Sequence, residues 1–274
     1  MGWTKHRQKN RSPIKDPPLR LPGESLFDRL LGVHHDFVMY FVQCALVWLV
    51  AANAWTYWSM KVPVTVGWCS FWTALAMGVT AFAILKTRRL WRTGHNLRQG
   101  MEGEVFVGQY LEEHCRERGY KVLHDIVADR FNVDHILIGP GGVFAIETKT
   151  ISKPISRDAV VQFDGESVLV DGYVPDRDPI AQAYACARHV AELLAESTNR
   201  PVDKIHVRPV VLYPGWFIEG SSSGRRVWVL TPEAFVAFLD HEYEQLEDED
   251  IGLYHSHLIK HIRAEERIAA SAGK

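Results

Sequence analysis

The stretch Asn132-Val-Asp-His-Ile-Leu-Ile-Gly-Pro-Gly-Gly-Val-Phe-Ala-Ile-Glu-Thr-Lys-Thr150 decides how the rest of the chain is read. Two apolar runs flank Gly139-Pro-Gly-Gly142, and the pattern predicts two strands joined by a tight turn. Side chains alternate between the faces of a strand, so Glu147 and Lys149 share a face, with Cα atoms about 7 Å apart. Ile146 and Thr148 point the other way. If the strands pair as a hairpin, Asp134 reaches the same place. Two carboxylates and an ammonium converging there have the chemistry to hold a divalent cation and activate a water. Alone, a Glu-x-Lys triplet is usually a solvated cross-charge pair, and one arises by chance about once in a chain of this length. The flanks make this one different. Val133, Ile136, Ile138, Val143, Phe144 and Ile146 mark a central sheet, where charge without a partner is costly. The glycine-rich turn leads from strand to strand rather than into a helix, so it reads as turn chemistry and not as a phosphate cradle.

Outward from this pair, Gly100 to Arg118 reads as a helix with Val107, Tyr110, Leu111 and Cys115 as its apolar stripe and Gly119 as its stop. Glu104 falls in its first turn, a position the helix dipole favours for acids. Tyr120 to Val127 is the next strand. After the central pair, Asp171-Gly172 signals a hairpin within Ser167 to Val174. Asp178-Pro179 opens a helix running to about Ser197, with Asp178 as N-cap and Gln182 in the first turn. Ile205 to Tyr213 and Arg226 to Leu230 read as strands, Thr231-Pro232 caps a further helix, and an amphipathic helix covers about Asp250 to Ala269. His257 and His261 on that last helix are spaced i, i+4, and without a nearby third ligand they read as surface or packing histidines. The order predicts an α/β fold with a mixed central sheet flanked by helices.

The N-terminal third has another character. Phe37 to Met60 and Val62 to Leu85 lack ionisable residues, and each is long enough to span a bilayer as a helix. Trp48, Trp55, Tyr57, Trp58 and Trp68 suit an interfacial belt. The first run begins too late and is too long for a signal peptide. Residues 1–99 carry 13 Lys/Arg against 4 Asp/Glu, and residues 100–274 carry 18 against 29. The basic flanks place both termini in the cytoplasm and suit anionic lipid head groups. The acidic remainder argues against non-specific nucleic-acid binding driven by bulk charge, so any such contact needs a local patch. Much of that acidity lies in Asp240 to Asp250, a solvated helix face or loop. Cys44, Cys69, Cys115 and Cys186 form no CxxC pair, which speaks against a zinc knuckle or redox motif. The expected organisation is a basic segment at 1–35, poorly ordered over residues 1–24, a transmembrane hairpin at 36–86, a linker helix at 87–99, a domain at 100–215, and a strand with helices at 216–274 that complete it.

Gly103-Glu104, Val133-Asp134-His135 with Ile138-Gly139-Pro140, Gly142-Val143-Phe144 leading to Ile146-Glu147-Thr148-Lys149, and Asp178-Pro179-Ile180-x-Gln182 together resemble the nuclease-related domain, NERD, a family placed in the PD-(D/E)xK nuclease-like superfamily. The resemblance covers about residues 100–215. It implies a restriction-endonuclease-like sheet and hydrolysis of phosphodiester bonds in DNA, or less readily RNA. It implies Mg²⁺ or Mn²⁺ held by Asp134, Glu147 and the Thr148 carbonyl, Lys149 orienting the attacking water, Glu104 as an accessory acid and Gln182 ordering the array. Arg130, Lys153 and Arg157 are candidates for phosphate contact. The resemblance also suggests a bacterial inner membrane. A catalytically inactive, membrane-tethered binding or assembly module on the same fold is the alternative, and a homo-oligomer assembled through the hairpin is compatible with either.

Overall fold

The computed structural model describes residues 19–128, 131–154 and 159–272. The N-terminal arm up to residue 18, Arg130 and Arg157 lie outside the described residues. Two long antiparallel helices come first, α1 (Glu24–Ser59) and α2 (Val66–Cys115). Thr65 caps α2, its side chain accepting from the Trp68 amide. Small residues let the pair close together, with Ala51, Ala54, Cys69, Ala76 and Ala83 buried along the seam. Trp48 and Trp55 donate across it to Thr80 and Thr73, each at 3.0 Å. The large apolar side chains point outward instead. Phe41, Leu49, Phe71 and Leu85 are all exposed, and each helix is long and apolar enough to cross a membrane.

The linker helix expected at 87–99 continues the second apolar run, and the helix expected at 100–118 continues it in turn as one element. α2 is unbroken over 50 residues, about 75 Å at the usual rise. Hydropathy changes along it, but no proline interrupts it, and the backbone follows the absence of a breaker. A short 3₁₀ turn at Arg116–Arg118 and a left-handed Gly119 then end it.

Strands β1 (Lys121–Val127), β2 (Asn132–Gly139), β3 (Gly142–Thr148), β6 (Val207–Leu212) and β8 (Trp228–Leu230) form one mixed sheet in the order β1-β2-β3-β6-β8. The first three are antiparallel neighbours; β6 runs parallel to β3, and β8 parallel to β6. The turn between β2 and β3 is held by Tyr120, whose hydroxyl accepts from the Gly141 amide at 3.1 Å. Between β3 and β6 the chain makes β4 (Val160–Phe163), β5 (Val168–Val170) and α3 (Pro179–Thr198). β4 and β5 join β7 (Phe217–Glu219) in a small second sheet. These strands of three or four residues are shorter than sequence periodicity resolves. The tight turn at Asp171-Gly172 is present, with left-handed φ of 54° and 81°.

Two further helices complete the domain, α4 (Pro232–Leu239), capped by Thr231, and α5 (Asp248–Ala272). One sheet face packs Ile136, Ile138, Val143 and Ala145 against Val190 and Leu194 of α3 and Leu258 of α5. The other packs Leu137, Phe144 and Ile146 against Val107 and Leu111 of α2 and Phe235 of α4. The C-terminal half of α2 is therefore a core helix of the domain, and its N-terminal half belongs to the hairpin. His257 and His261 lie on α5 and join no metal-binding group, since none is found among the described residues.

Candidate active site

β2 and β3 pair antiparallel with His135 opposite Ile146, which sets Asp134 next to the end of β3. The Asp134 carboxylate accepts from the Thr148 amide at 2.7 Å, so the acid is tied to the strand that carries its partners. Glu147 and Lys149 share a face as the alternation predicts. The Lys149 ammonium donates to Glu147 Oε1 at 2.6 Å and to Gln182 Oε1 at 2.6 Å. Gln182 comes from the first turn of α3, whose start is fixed by Asp178 accepting from the amides of Ile180 and Ala181. Lys149 is thus held between two elements. Its own amide, just past β3, donates to the Leu212 carbonyl of β6 at 2.8 Å.

Glu104 reaches the same place from α2, and Gly103 is what permits the approach. A Cβ at Gly103 would lie 1.6 Å from Thr150 Oγ1, so no larger residue lets the helix lie this close to the end of β3. Glu104, Asp134, Glu147 and Gln182 line one cleft of about 740 Å³. Lys149 bonds to two of its walls. Thr148 contributes backbone; its hydroxyl is buried without a partner among the described residues. Lys153 lies elsewhere, over the Trp216 ring with its ammonium on the Gly215 carbonyl, and makes no part of the cleft.

Electrostatics follow from burial and crowding. Glu104 is pushed up to about 8, first by burial and then by the charges of Asp125 and Glu147, with Lys149 and Arg29 pulling it back. Asp134 is raised well above the ordinary carboxylate range, by burial first and then by Glu147 and Glu104. The Cys186 thiol, 3.7 Å from Glu147 Oε2, is also pushed up by burial and by that carboxylate, which makes it a neutral wall rather than a nucleophile. Carboxylates crowded into one shared cleft are the setting in which a bound cation relieves the repulsion. Among the described residues no three His, Cys, Asp or Glu side chains close into a cage. The donors present suit a hard cation that keeps several waters and takes one or two carboxylates.

Several residues at the site carry no clear sequence signal. Asp125 sits mid-strand in β1 with a left-handed φ of 49°. Its buried carboxylate accepts from Arg20 at 3.0 Å, from the Ser25 amide at 2.7 Å and from Asn132 at 3.1 Å. It therefore caps α1, whose own N-cap, Gly23, offers no side chain. An acid inside the apolar run Val122 to Ile126 was the available hint. Arg29 and Arg177 also line the cleft, and only the docking of α1 and α3 brings them there.

Residues 99–214 match the family model described as NERD, nuclease-related domain. No curated protein and no solved structure matches the chain. The match spans Glu104, Asp134, Glu147, Lys149 and Gln182, and stops short of the hairpin and of β8, α4 and α5. The segment that gathers these side chains, residues 99–214, is thus similar to the nuclease-related domain family, and its fold is mixed α/β.

Proposed function

We propose that the protein is a membrane-anchored, cytoplasm-facing, metal-dependent nuclease that hydrolyses phosphodiester bonds of DNA, with RNA as a second substrate to be assayed beside it. The observation that carries this is Lys149, pinned at 2.6 Å to both Glu147 and Gln182, which line one cleft with Asp134 and Glu104. Mg²⁺ or Mn²⁺ would be held by Asp134 and Glu147, with the Thr148 carbonyl as a third oxygen. When bound, such a cation supplies a water acidified toward neutral pH and neutralises charge on the phosphate. The chain's own groups do the remainder. Lys149 presents a fixed positive charge where charge builds up on the phosphoryl oxygens, and it orients the attacking water. Gln182 keeps that ammonium aimed. Glu104, pushed up to about 8, holds or releases a proton on the floor of the site.

Anchoring is supported by the hairpin. In the most apolar stretches of α1 and α2 only 11% and 17% of residues are buried, which is not the pattern of a helix enclosed in a protein core. The antiparallel pair puts Glu24 and the domain on the same side, and the flanking basic residues make that side cytoplasmic. A bacterial inner membrane fits this arrangement.

The test is cleavage of labelled DNA and RNA by the full chain in detergent with Mg²⁺ or Mn²⁺. Chelation is expected to stop it, and Glu147→Ala and Lys149→Ala to lower kcat by about a hundredfold or more. Cleavage that survives both substitutions would sink the assignment. A non-catalytic, membrane-tethered binding module is the second reading. It is favoured by the acidic balance of residues 100–274, 29 Asp/Glu against 18 Lys/Arg, and the same assay decides it if no phosphodiester is cut with either metal while a protein partner still binds.

A further inference from the structure

The cleft is closed on one side by a part of the chain outside the matched domain. Ser25, Leu26 and Arg29 of α1 line it together with Arg177 and Gln182. Their position is built, not incidental. Asp125 holds the start of α1 through the Ser25 amide and Arg20. A Cβ at Gly100 of α2 would lie 3.2 Å from Leu26 Cδ1, so the helices approach closely just above the site. Arg29 extends from this fixed turn. It is exposed, and it makes no hydrogen bond or ion pair among the described residues. Its charge is nevertheless felt at Glu104. Arg177 stands in the same condition on the α3 side, one residue before the Asp178 cap.

A guanidinium with no carboxylate partner, at the mouth of a cleft whose floor is acidic, is a ready phosphate ligand. Glu104, Asp134 and Glu147 by themselves repel a polyanion, so a strand entering here needs cations at the rim. Resting on the nuclease reading above, we propose that Arg29 and Arg177 are phosphate-positioning residues that grip a polynucleotide strand on either side of the scissile bond, so that the first hairpin helix forms part of the substrate site.

The experiment uses the full chain in detergent with Glu147→Ala as a non-cleaving background and a labelled DNA oligonucleotide as probe. Affinity is measured across a KCl series. Adding Arg29→Ala is expected to weaken binding about fivefold to tenfold at low salt and to reduce the slope of log K against log salt by about 0.7–0.9, one phosphate contact. Arg29→Lys is expected to keep the slope and recover part of the affinity, and Arg177→Ala to act as Arg29→Ala does. In the cleaving chain, Arg29→Ala should raise KM more than it lowers kcat. Thermal midpoints within about 2 °C of the parent chain show that the fold is kept, and Arg29→Gln replaces Arg29→Ala if they are not. Unchanged affinity and slope would overturn the inference and leave the nuclease reading standing. Arg29-dependent binding without any cleavage by the unsubstituted chain would do the reverse. A chain that binds no nucleic acid at all overturns both.

Discussion

His135 shows how much a single buried side chain constrains this domain. It is 0% exposed, its Nδ1 lies 2.9 Å from His124 Nδ1, and its Nε2 has no partner among the described residues. Burial first, and then the charge His124 would carry, hold its pKa well below the ordinary histidine range. A group depressed in the folded state contributes stability above its unfolded pKa, about 6.5, and that contribution is lost as pH falls toward the folded value. The thermal midpoint is therefore expected to drop between pH 8 and pH 5, by about 2–4 °C for each kcal/mol lost. His135→Gln should flatten that dependence; an equally steep profile in the variant would place the sensitivity elsewhere. Residues of this kind divide sharply by how local their signals are. Asp134, Glu147 and Lys149 are legible because strand alternation and one turn suffice to bring them together. Asp178 and Gln182 are legible because a cap followed by proline fixes where α3 begins. Asp125 is not, since its partner Ser25 lies 100 residues away, and Arg29 is not, since only the docking of α1 brings it to the cleft; no periodicity encodes an approach of that span.

Among the elements, α2 joins two tasks on one backbone. Its first half packs on α1, and its second half supplies Val107 and Leu111 to the core and Glu104 to the cleft. Hydropathy and charge change twice along its length, which marks a hairpin, a linker and a domain helix in the sequence, whereas its continuity depends on the absence of proline and on glycines that face close neighbours. Gly100 and Gly103 face Leu26 and Thr150. The small sheet of β4, β5 and β7 escapes notice for the opposite reason: strands so short carry too few residues to show a period. Asn96 is exposed on the stretch between hairpin and domain. Asn96→Pro removes a helical hydrogen bond there and costs about 3 kcal/mol locally. Spin labels placed on the hairpin and on α3 are expected to give one narrow distance distribution in the parent chain and a broad one in Asn96→Pro. A narrow distribution in both would mean that side contacts, not the helix, hold the two halves in register.

At the scale of the whole molecule, charge and shape agree. The basic third of the chain is the hairpin with its flanks, and the acidic remainder forms the α/β body with its long C-terminal helix. With the hairpin in a bilayer, a cysteine at Lys61 should react with an impermeant reagent from outside intact cells. One at Tyr243, which is 87% exposed, should react only after lysis. Labelling in the reverse order would invert the proposed topology. The unbroken run of α2 has one more consequence. Of its roughly 75 Å, about 30 Å would lie in hydrocarbon, and the same backbone runs on without a break into the core of the α/β body, where Val107 and Leu111 fix it. Were the proposed nuclease anchored in this way, it would not roam: it would sweep a thin layer of cytosol at constant height, drifting sideways with the lipids. Encounter would then depend on how often a strand is delivered to that layer, so that under the proposed function nucleic acid crossing the membrane would be met at once, while nucleic acid deep in the cell interior would stay out of reach.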